Sequence, residues 1–241
     1  ANTTLNNDTA ASLTAVTQTG TNSSGYGFTI SGQDLAVKGT IDGGTHATLV
    51  FDTNLTIASD TAVGGYVTFN TAKTVTLAAN LTVSSGAGLT VDSVLAGTGN
   101  LIANSTAAVY LNKANTWTGA ISIGSDAVAR VSDASAFGSA ANVVTVSDGG
   151  VIATCGLNGA TIPQPLNLTG YSGSGGQAGY GTVQANSACG MGGAPTSSDP
   201  HANVTFSGDV TLNSDLKVGS AGVLTFNGST ATGAHTISIL D

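Results

Sequence analysis

The residues that could perform catalysis are few and lie far apart in this 241-residue chain. Asp209 and Asp215 are the closest acidic pair, and each follows an apolar triplet, a position typical of a solvent-exposed corner. Glycan-cleaving proteins hold two carboxylates about 5 to 9.5 Å apart on one face. The histidines lack metal-ligand spacing, and the chain contains no Gly-x-Ser-x-Gly elbow or calcium loop. The sequence therefore predicts a protein that is not an enzyme and that binds neither metal nor cofactor.

Cysteine and asparagine offer the remaining covalent chemistry. Cys155 and Cys189 fit one disulfide bond in an exported protein, and two unrelated buried thiols are the alternative. N-glycosylation requires Asn-x-Ser or Asn-x-Thr at the surface. Asparagines that bond to the backbone of tight corners would explain the same pattern without sugar. The chain carries this pattern at Asn2, Asn7, Asn22, Asn54, Asn80, Asn104, Asn167, Asn203 and Asn227.

The composition limits the partners of the chain. Only 7% of the residues are charged, glutamate is absent, and the net charge is −8. Phosphate binding requires clustered Lys and Arg, so we do not expect nucleic acid as a partner. No apolar run reaches the length of about 18 to 20 residues that a membrane-spanning helix needs. The chain begins with Ala1 rather than Met, which favours a processed, exported chain or a fragment.

A short pattern recurs along the chain and predicts its architecture. Leu81–Val83 alternates apolar and polar residues, five residues turn the corner, and Leu89–Val91 repeats the alternation. The same arrangement returns at 121–131, 144–154 and 216–226. Strands this short are stable only when copies stack and join their apolar faces into one core. We therefore expect an all-β, parallel β-solenoid of roughly ten short coils, each rising by one strand spacing. The threonines of the triplets should point outward.

The spacing of the triplets predicts the length of a coil and the boundaries of the domain. The triplets that begin at 121 and 144 are 23 residues apart, which suggests the length of one coil. The last three triplets of 204–226 repeat the spacing of the last three triplets of 67–91. Regular alternation begins at Phe28, which favours a separate segment 1–27 and a solenoid domain 28–241. Residues 155–202 hold all four prolines, both cysteines and a glycine-rich run with Tyr171 and Tyr180. We expect this range to be an excursion from the stack, tied by the disulfide, with the two tyrosines as candidates for an exposed contact.

The centre of the chain resembles a known family. Its motifs follow one another as Leu95–Leu101 (LAGTGNL), Ala114–Gly119 (ANTWTG), Ile121–Ile123 (ISI) and Ala134–Gly138 (ASAFG). This series is similar to the autotransporter-associated β-strand repeat of bacterial surface proteins, with Phe137 where the family usually has Leu. The resemblance implies a right-handed parallel β-helix, exported to the bacterial cell surface or beyond it. It also implies that Trp117 packs in the core or at a corner.

The two ends of the chain carry the functional prediction. Residues 235–241 alternate like a strand up to the last residue, and neither end shows a helical or polar cap. We expect a non-enzymatic subunit of a homopolymeric surface filament, in which residues 1–27 could donate a strand and each copy stacks on the next. One alternative is a monomeric autotransporter-type adhesin that contacts glycans, host or abiotic surfaces. The other is a carbohydrate-binding or carbohydrate-active β-helix.

Overall fold

The chain folds as a parallel β-solenoid. A computed structural model describes residues 3–18, 27–45, 48–170, 181–186, 202–220, 222–231 and 234–240. Within these ranges the chain forms 27 β-strands and no helix, and the strands pair in parallel through about nine turns. The predicted all-β class and parallel solenoid are therefore confirmed, while the right-handed winding stays a prediction.

The first face of the solenoid is a single sheet of eleven parallel strands. Side chains on its inner surface enter the core, and those on its outer surface face away from it. In stacking order the strands are β1 (Thr3–Asn7), β3 (Phe28–Gly32), β5 (Thr48–Asp52), β8 (Tyr66–Phe69), β11 (Gly88–Val91), β14 (Ala108–Leu111), β16 (Val128–Val131), β18 (Val151–Cys155), β21 (Val183–Asn186), β24 (Leu216–Ser220) and β27 (Ile237–Leu240).

The second and third faces are joined at one end of the stack by strands that run around a corner. β2 (Ala11–Thr17) and β4 (Leu35–Asp42) each contribute to both faces, because the first half of β4 pairs with β6 and its second half with β7. The second face continues with β6 (Leu55–Ile57), β9 (Thr74–Leu77) and β12 (Val94–Gly97), and later with β19 (Ala160–Ile162), β22 (Val204–Phe206) and β25 (Leu224–Phe226). The third face continues with β7 (Thr61–Gly64), β10 (Leu81–Val83), β13 (Leu101–Ala103), β15 (Ile121–Ile123), β17 (Val144–Val146), β20 (Leu166–Leu168), β23 (Val210–Leu212) and β26 (Thr230–Ala231).

The register of the strands corrects the predicted coil length. Leu101 pairs with Leu81 and with Ile121, so that these coils are each twenty residues long. The interval of 23 residues that the sequence suggested separates Ile121 from its partner Val144. It does not separate Leu81 from Leu101 or Leu101 from Ile121. The extra residues lie in a corner between strands, where insertions leave the register unchanged. One coil with a long corner is therefore what suggested the longer period.

The likeness between 67–91 and 204–226 also reflects spacing rather than position. Val75 belongs to β9 on the second face, whereas Val210, which begins the matching run of triplets, belongs to β23 on the third face. All three faces accept the same triplet of two apolar residues around a polar one. The spacing of triplets therefore predicts strands but does not specify the face on which each strand lies.

The core consists of columns of apolar side chains that stack along the solenoid. In β10, Leu81 and Val83 are fully buried while Thr82 between them is half-buried, which confirms the predicted outward direction of the threonine. Burial of one such aliphatic side chain contributes about 1.5 to 3 kcal/mol relative to an exposed position. One third-face column, in which no member is more than 2% exposed, is Leu81, Leu101, Ile121, Val144, Leu166 and Val210.

The corner between the third and first faces is a tight turn of constant form. The N–H of Ala87 donates to the carbonyl of Ser84 at 3.0 Å, and equivalent bonds close the next three corners. The third corner residue adopts a positive φ, as the second central residue of a type II turn does. Glycine is favoured there because it has no Cβ to clash, yet two of the four positions hold other residues. The four residues are Gly86 (φ 72°), Thr106 (60°), Asp126 (58°) and Gly149 (83°).

Two predicted boundaries are wrong. Residues 1–27 are not a separate segment, because β1 and β2 pair in parallel with β3 and β4 of the same chain and form the first coil. Residues 155–202 are not a continuous excursion, because β19, β20 and β21 lie within this range and belong to the stack. β20 begins directly after Pro165, whose carbonyl accepts the N–H of Val144 at 2.9 Å. Proline is tolerated at such a corner because only its carbonyl is needed there.

The columns predict a sharp difference between neighbouring residues of one strand. In β13, Leu101 is buried in the core column, whereas the adjacent Ile102 faces outward and is half-buried. We expect Leu101→Ala to lower the free energy of unfolding by about 2 to 5 kcal/mol, because the neighbouring coils cannot close the cavity. Ile102→Ala should cost about 1 kcal/mol or less. Urea unfolding followed by circular dichroism measures both, and equal losses would contradict the assigned register.

Candidate functional site

The predicted glycosylation positions lie mostly at or beside strand ends. Asn2 and Asn22 lie outside the described residues. Asn167 is the exception, since it points outward from the middle of β20. Of the others, Asn7 and Asn80 are half-buried, while the exposed positions are Asn54, Asn104, Asn203 and Asn227. Whether any of them carries sugar stays a prediction.

Several of these asparagines have a structural role that the sequence pattern did not distinguish. The side-chain oxygen of Asn80 accepts the N–H of Asn100 at 3.2 Å, and that of Asn100 accepts the N–H of Ala120 at 2.9 Å. One coil earlier, Asp60 Oδ1 accepts the N–H of Asn80 at 3.1 Å. These bonds form a ladder along one corner, in which each coil satisfies a backbone donor of the next. The signal in the sequence was the interval of twenty residues between Asp60, Asn80 and Asn100.

Similar ladders follow other corners. Asn54 and Asn203 accept the N–H groups of Thr74 and Val223, each at 3.1 Å and each from the following coil. Asn167 Oδ1 accepts the side-chain amide of Asn213 at 2.7 Å. Corner backbone groups that no strand partner reaches would otherwise depend on water alone. The sequence interpretation of corner bonding therefore accounts for Asn54 and Asn203, whereas Asn167 bonds a side chain of the next coil from the middle of its strand.

Asp209 and Asp215, the closest acidic pair in sequence, perform the same task. Asp209 Oδ1 accepts the N–H of Ser229 at 3.0 Å, and Asp215 Oδ1 accepts the N–H of Thr236 at 2.9 Å. Both residues are exposed at corners, as the sequence predicted. His235 lies with Nδ1 3.7 Å from Asp215 Oδ1. Among the described residues, no three His, Cys, Asp or Glu side chains form a group that could hold a metal.

The other predicted site residues are only partly described. Cys155 is buried at the end of β18 with 4% of its surface exposed, whereas Cys189 lies outside the described residues. Tyr171 and Tyr180 also lie outside them. The disulfide bond and the exposed tyrosine contact therefore stay predictions. Trp117 is fully buried, which confirms that its indole packs in the core.

The first coil leaves the apolar core open at one end of the stack. β1 is the edge strand of the first face, and its Leu5 is 54% exposed although Ile30, its partner in the next coil, is 4% exposed. Leu13 of β2 is 37% exposed while its partner Val37 is fully buried. Leu5 and Leu13, with neighbours that include Ile30, line a hollow of about 180 Å³. This end therefore presents a concave apolar surface, which we call the hollow end.

The last coil leaves the core open at the opposite end. β27 is the other edge strand of the first face, and its Ile239 is 73% exposed although its partner Val218 is 4% exposed. Ile237 is 36% exposed while its partner Leu216 is 1% exposed. This end, which we call the ridge end, therefore presents apolar side chains in the columns that are buried throughout the interior.

Fold and ends together define a parallel β-solenoid whose apolar core is open at both terminal coils. Within the described ranges, no helix is long and apolar enough to cross a membrane. No protein-family model, no curated protein and no solved structure matches the chain. The resemblance to the autotransporter-associated repeat therefore stays a prediction.

The ladder at Asn80 predicts the effect of three substitutions. Asn80→Ala leaves the half-buried N–H of Asn100 without its acceptor and should lower the free energy of unfolding by about 0.5 to 1.5 kcal/mol. Asn80→Asp should retain most of the stability, because a carboxylate oxygen accepts the same bond, as Asp60 shows one coil earlier. Asn104→Ala is the matched control at an exposed sequon and should change stability by less than about 0.5 kcal/mol. Chemical denaturation of the three variants measures these differences, and a loss for Asn104→Ala as large as that for Asn80→Ala would contradict the ladder.

Proposed function

We propose that this protein is an extracellular structural protein whose copies stack end to end into a filament at the bacterial cell surface. The observation that supports this proposal is the open core at both terminal coils. The hollow end exposes Leu5 and Leu13, and the ridge end exposes Ile237 and Ile239. In this proposal, the ridge end of one copy covers the hollow end of the next. The assembly requires neither an active site nor a cofactor.

The direction of the strands favours head-to-tail assembly. Every coil runs in the same sense, so the free edge of β27 can pair in parallel with the free edge of β1 in a second copy, as consecutive coils do within the chain. Such a contact is heterologous and leaves one free end on each copy, so it propagates into a filament. Stacking would bury the apolar side chains of the terminal coils as fully as the side chains of the same columns in interior coils. Each exposed aliphatic side chain that becomes buried contributes about 1.5 to 3 kcal/mol.

One further feature supports an extracellular location. The chain is rich in Thr, Ser and Asn, and only 7% of its residues are charged. A disulfide between Cys155 and Cys189 is part of the same proposal, because such a bond persists in an oxidising compartment. A right-handed winding and membership of the autotransporter-associated repeat belong to the same proposal. The competing function is a monomeric adhesin that contacts glycans or a host or abiotic surface, and the assembly state separates the two.

Complementary variants test the head-to-tail contact. Leu5→Asp damages the hollow end and Ile239→Asp the ridge end, since each places a charge at an apolar contact. We expect the wild type to form filaments in electron micrographs and a broad, concentration-dependent distribution in sedimentation. Each variant alone should remain monomeric, because every contact needs one intact end of each kind. An equimolar mixture of the two variants should form dimers that do not grow further.

The control is Val143→Asp, which places the same charge at an exposed apolar residue that precedes β17 on the side of the stack. It should assemble like the wild type. A wild-type chain that stays monomeric at high concentration would refute the filament, and the adhesin would take its place. Dimers formed by either variant alone would refute the head-to-tail arrangement.

The covalent state of the exported chain is a separate prediction. We expect a thiol reagent to modify no cysteine of the denatured, unreduced protein, because in this proposal Cys155 and Cys189 are bonded to each other. Alkylation followed by intact-mass measurement counts the thiols, and reduction before alkylation provides the positive control. Two modified thiols in the unreduced sample would contradict the disulfide. The same spectrum tests the sequons, since a bare chain has a mass of 23.3 kDa.

A further inference from the structure

An uncharged groove lies on the outer surface of the first face, away from both ends of the stack. It crosses β8, β11 and β14 and has a volume of about 380 Å³. Tyr66 and Tyr110 lie at opposite sides of it, with Thr68 and Thr90 between them. None of the described residues that line the groove carries a charge. The groove therefore offers aromatic rings and hydroxyl groups to a ligand, and no ionic partner.

Tyr66 is held flat against the sheet by the glycine beside it. Gly88 pairs with Tyr66 in the next coil, and a Cβ added to Gly88 would lie 2.8 Å from Cδ1 and 3.2 Å from Cε1 of the ring. The ring thus occupies the space in which any other residue would place its side chain. Ala108 and Val128 follow Gly88 in the same column, so the sheet itself does not require glycine there. Tyr66 remains 50% exposed, which leaves an aromatic surface open to solvent.

Tyr110 is positioned by a different contact. It pairs with Thr90 in one neighbouring coil and with Arg130 in the other. The guanidinium carbon of Arg130 lies 5.3 Å from the centroid of the Tyr110 ring, within the range of a cation–π interaction. Arg130 is itself 8% exposed. The orientation of the second ring is therefore also set before any ligand arrives.

The hydroxyl groups of the groove lie in regular positions. Thr68 and Thr90 are paired in register, so their side chains stand about 4.8 Å apart along the stack. Thr106 lines the groove at the corner, where its Oγ1 lies 3.0 Å from Ser85 Oγ and accepts the N–H of Gly86 at 3.0 Å. Its positive φ of 60° is unusual for a β-branched residue. These bonds fix the side chain that forms the rim.

We propose that this groove binds a neutral polysaccharide. The apolar face of a sugar ring can stack on Tyr66, while its hydroxyl groups exchange hydrogen bonds with Thr68 and Thr90. Tyr110 lies two coils beyond Tyr66, a separation of about 10 Å along the stack, which is roughly the length of two sugar units. Tyr110 also lies two residues further along its strand than Ala108, the residue in register with Tyr66, which is about 7 Å across the face. A glycan chain that crosses the coils obliquely therefore contacts both rings. An anionic glycan is disfavoured, because none of the described lining residues is a cation and the nearby guanidinium of Arg130 is only 8% exposed and packs on Tyr110.

Titration with defined oligosaccharides tests the proposal. The probes are cellohexaose, laminarihexaose, mannohexaose and chitohexaose, with hexagalacturonate as the anionic comparison, measured by calorimetry and saturation-transfer NMR. We expect saturable binding of at least one neutral hexasaccharide and weaker or no binding of hexagalacturonate. Tyr66→Ala should weaken binding by about fivefold to tenfold, and Tyr66→Phe should retain it because the ring is kept. Failure of all four neutral probes to bind, or tighter binding of hexagalacturonate, overturns the proposal.

Gly88→Ala provides a second test that leaves the tyrosine in place. The new methyl group displaces the ring of Tyr66 from the sheet, while the alanine at 108 in the same column shows that the fold accepts this side chain. We expect a loss of affinity similar to that of Tyr66→Ala, with an unchanged circular dichroism spectrum. Thr90→Ala removes a hydroxyl group from the groove and should weaken binding. Thr211→Ala, at an exposed threonine of β23 on the third face, is its matched control and should leave binding unchanged. Binding that survives Gly88→Ala and Tyr66→Ala unchanged contradicts the site, whatever the assembly state of the protein.

Discussion

The parallel, in-register stacking of short coils is the constraint on which the rest of this structure depends. A three-residue strand such as β10 buries only two side chains, so it is stable only between the coils that precede and follow it. Each coil must place apolar residues in the same columns, and Leu81, Leu101 and Ile121 satisfy this requirement in succession. Thr61, which precedes them in the register, is buried as well and bonds to the carbonyl of Ser59 at 2.8 Å.

The same stacking determines the chemistry of the corners. A chain that turns a corner every few residues leaves backbone N–H groups that no strand partner satisfies. Asp60, Asn80 and Asn100 supply the missing acceptors from the coil before, which explains why a surface with few charged groups is rich in asparagine. The sequon asparagines Asn54, Asn80 and Asn203 therefore have a structural role, whether or not any of them is modified. The ladder also adds polar specificity to a core that would otherwise accept several registers.

Stacking of coils does not by itself limit the number of coils. This property connects the fold to the proposed function. An interior coil is covered on both sides, but a terminal coil is covered on only one, so its columns emerge as exposed side chains such as Leu5 and Ile239. The lateral surface is different, because its outward residues are not needed for stacking and are free to vary. The contact of the Tyr66 ring with Gly88 is an example of an outward arrangement that stacking does not require. The ends and the groove are therefore separate surfaces, to which the two proposals assign assembly and the recognition of a ligand.

The sequence by itself determined the class of fold and the inward and outward residues of the triplets, because these depend on local alternation. The packing of Trp117 was implied by the family resemblance. The sequence did not determine the coil length or the face of each strand, since a triplet fits any face and insertions are absorbed by corners. The segments 1–27 and 155–202 were misjudged for the same reason: polar residues, proline and glycine look irregular along the chain but are compatible with strands once neighbouring coils supply the partners. The contact between Tyr66 and Gly88, which lie on successive coils, and the open columns at the two ends exist only in three dimensions. Tertiary structure decided them because the register between coils, and not the local sequence, brings these side chains together.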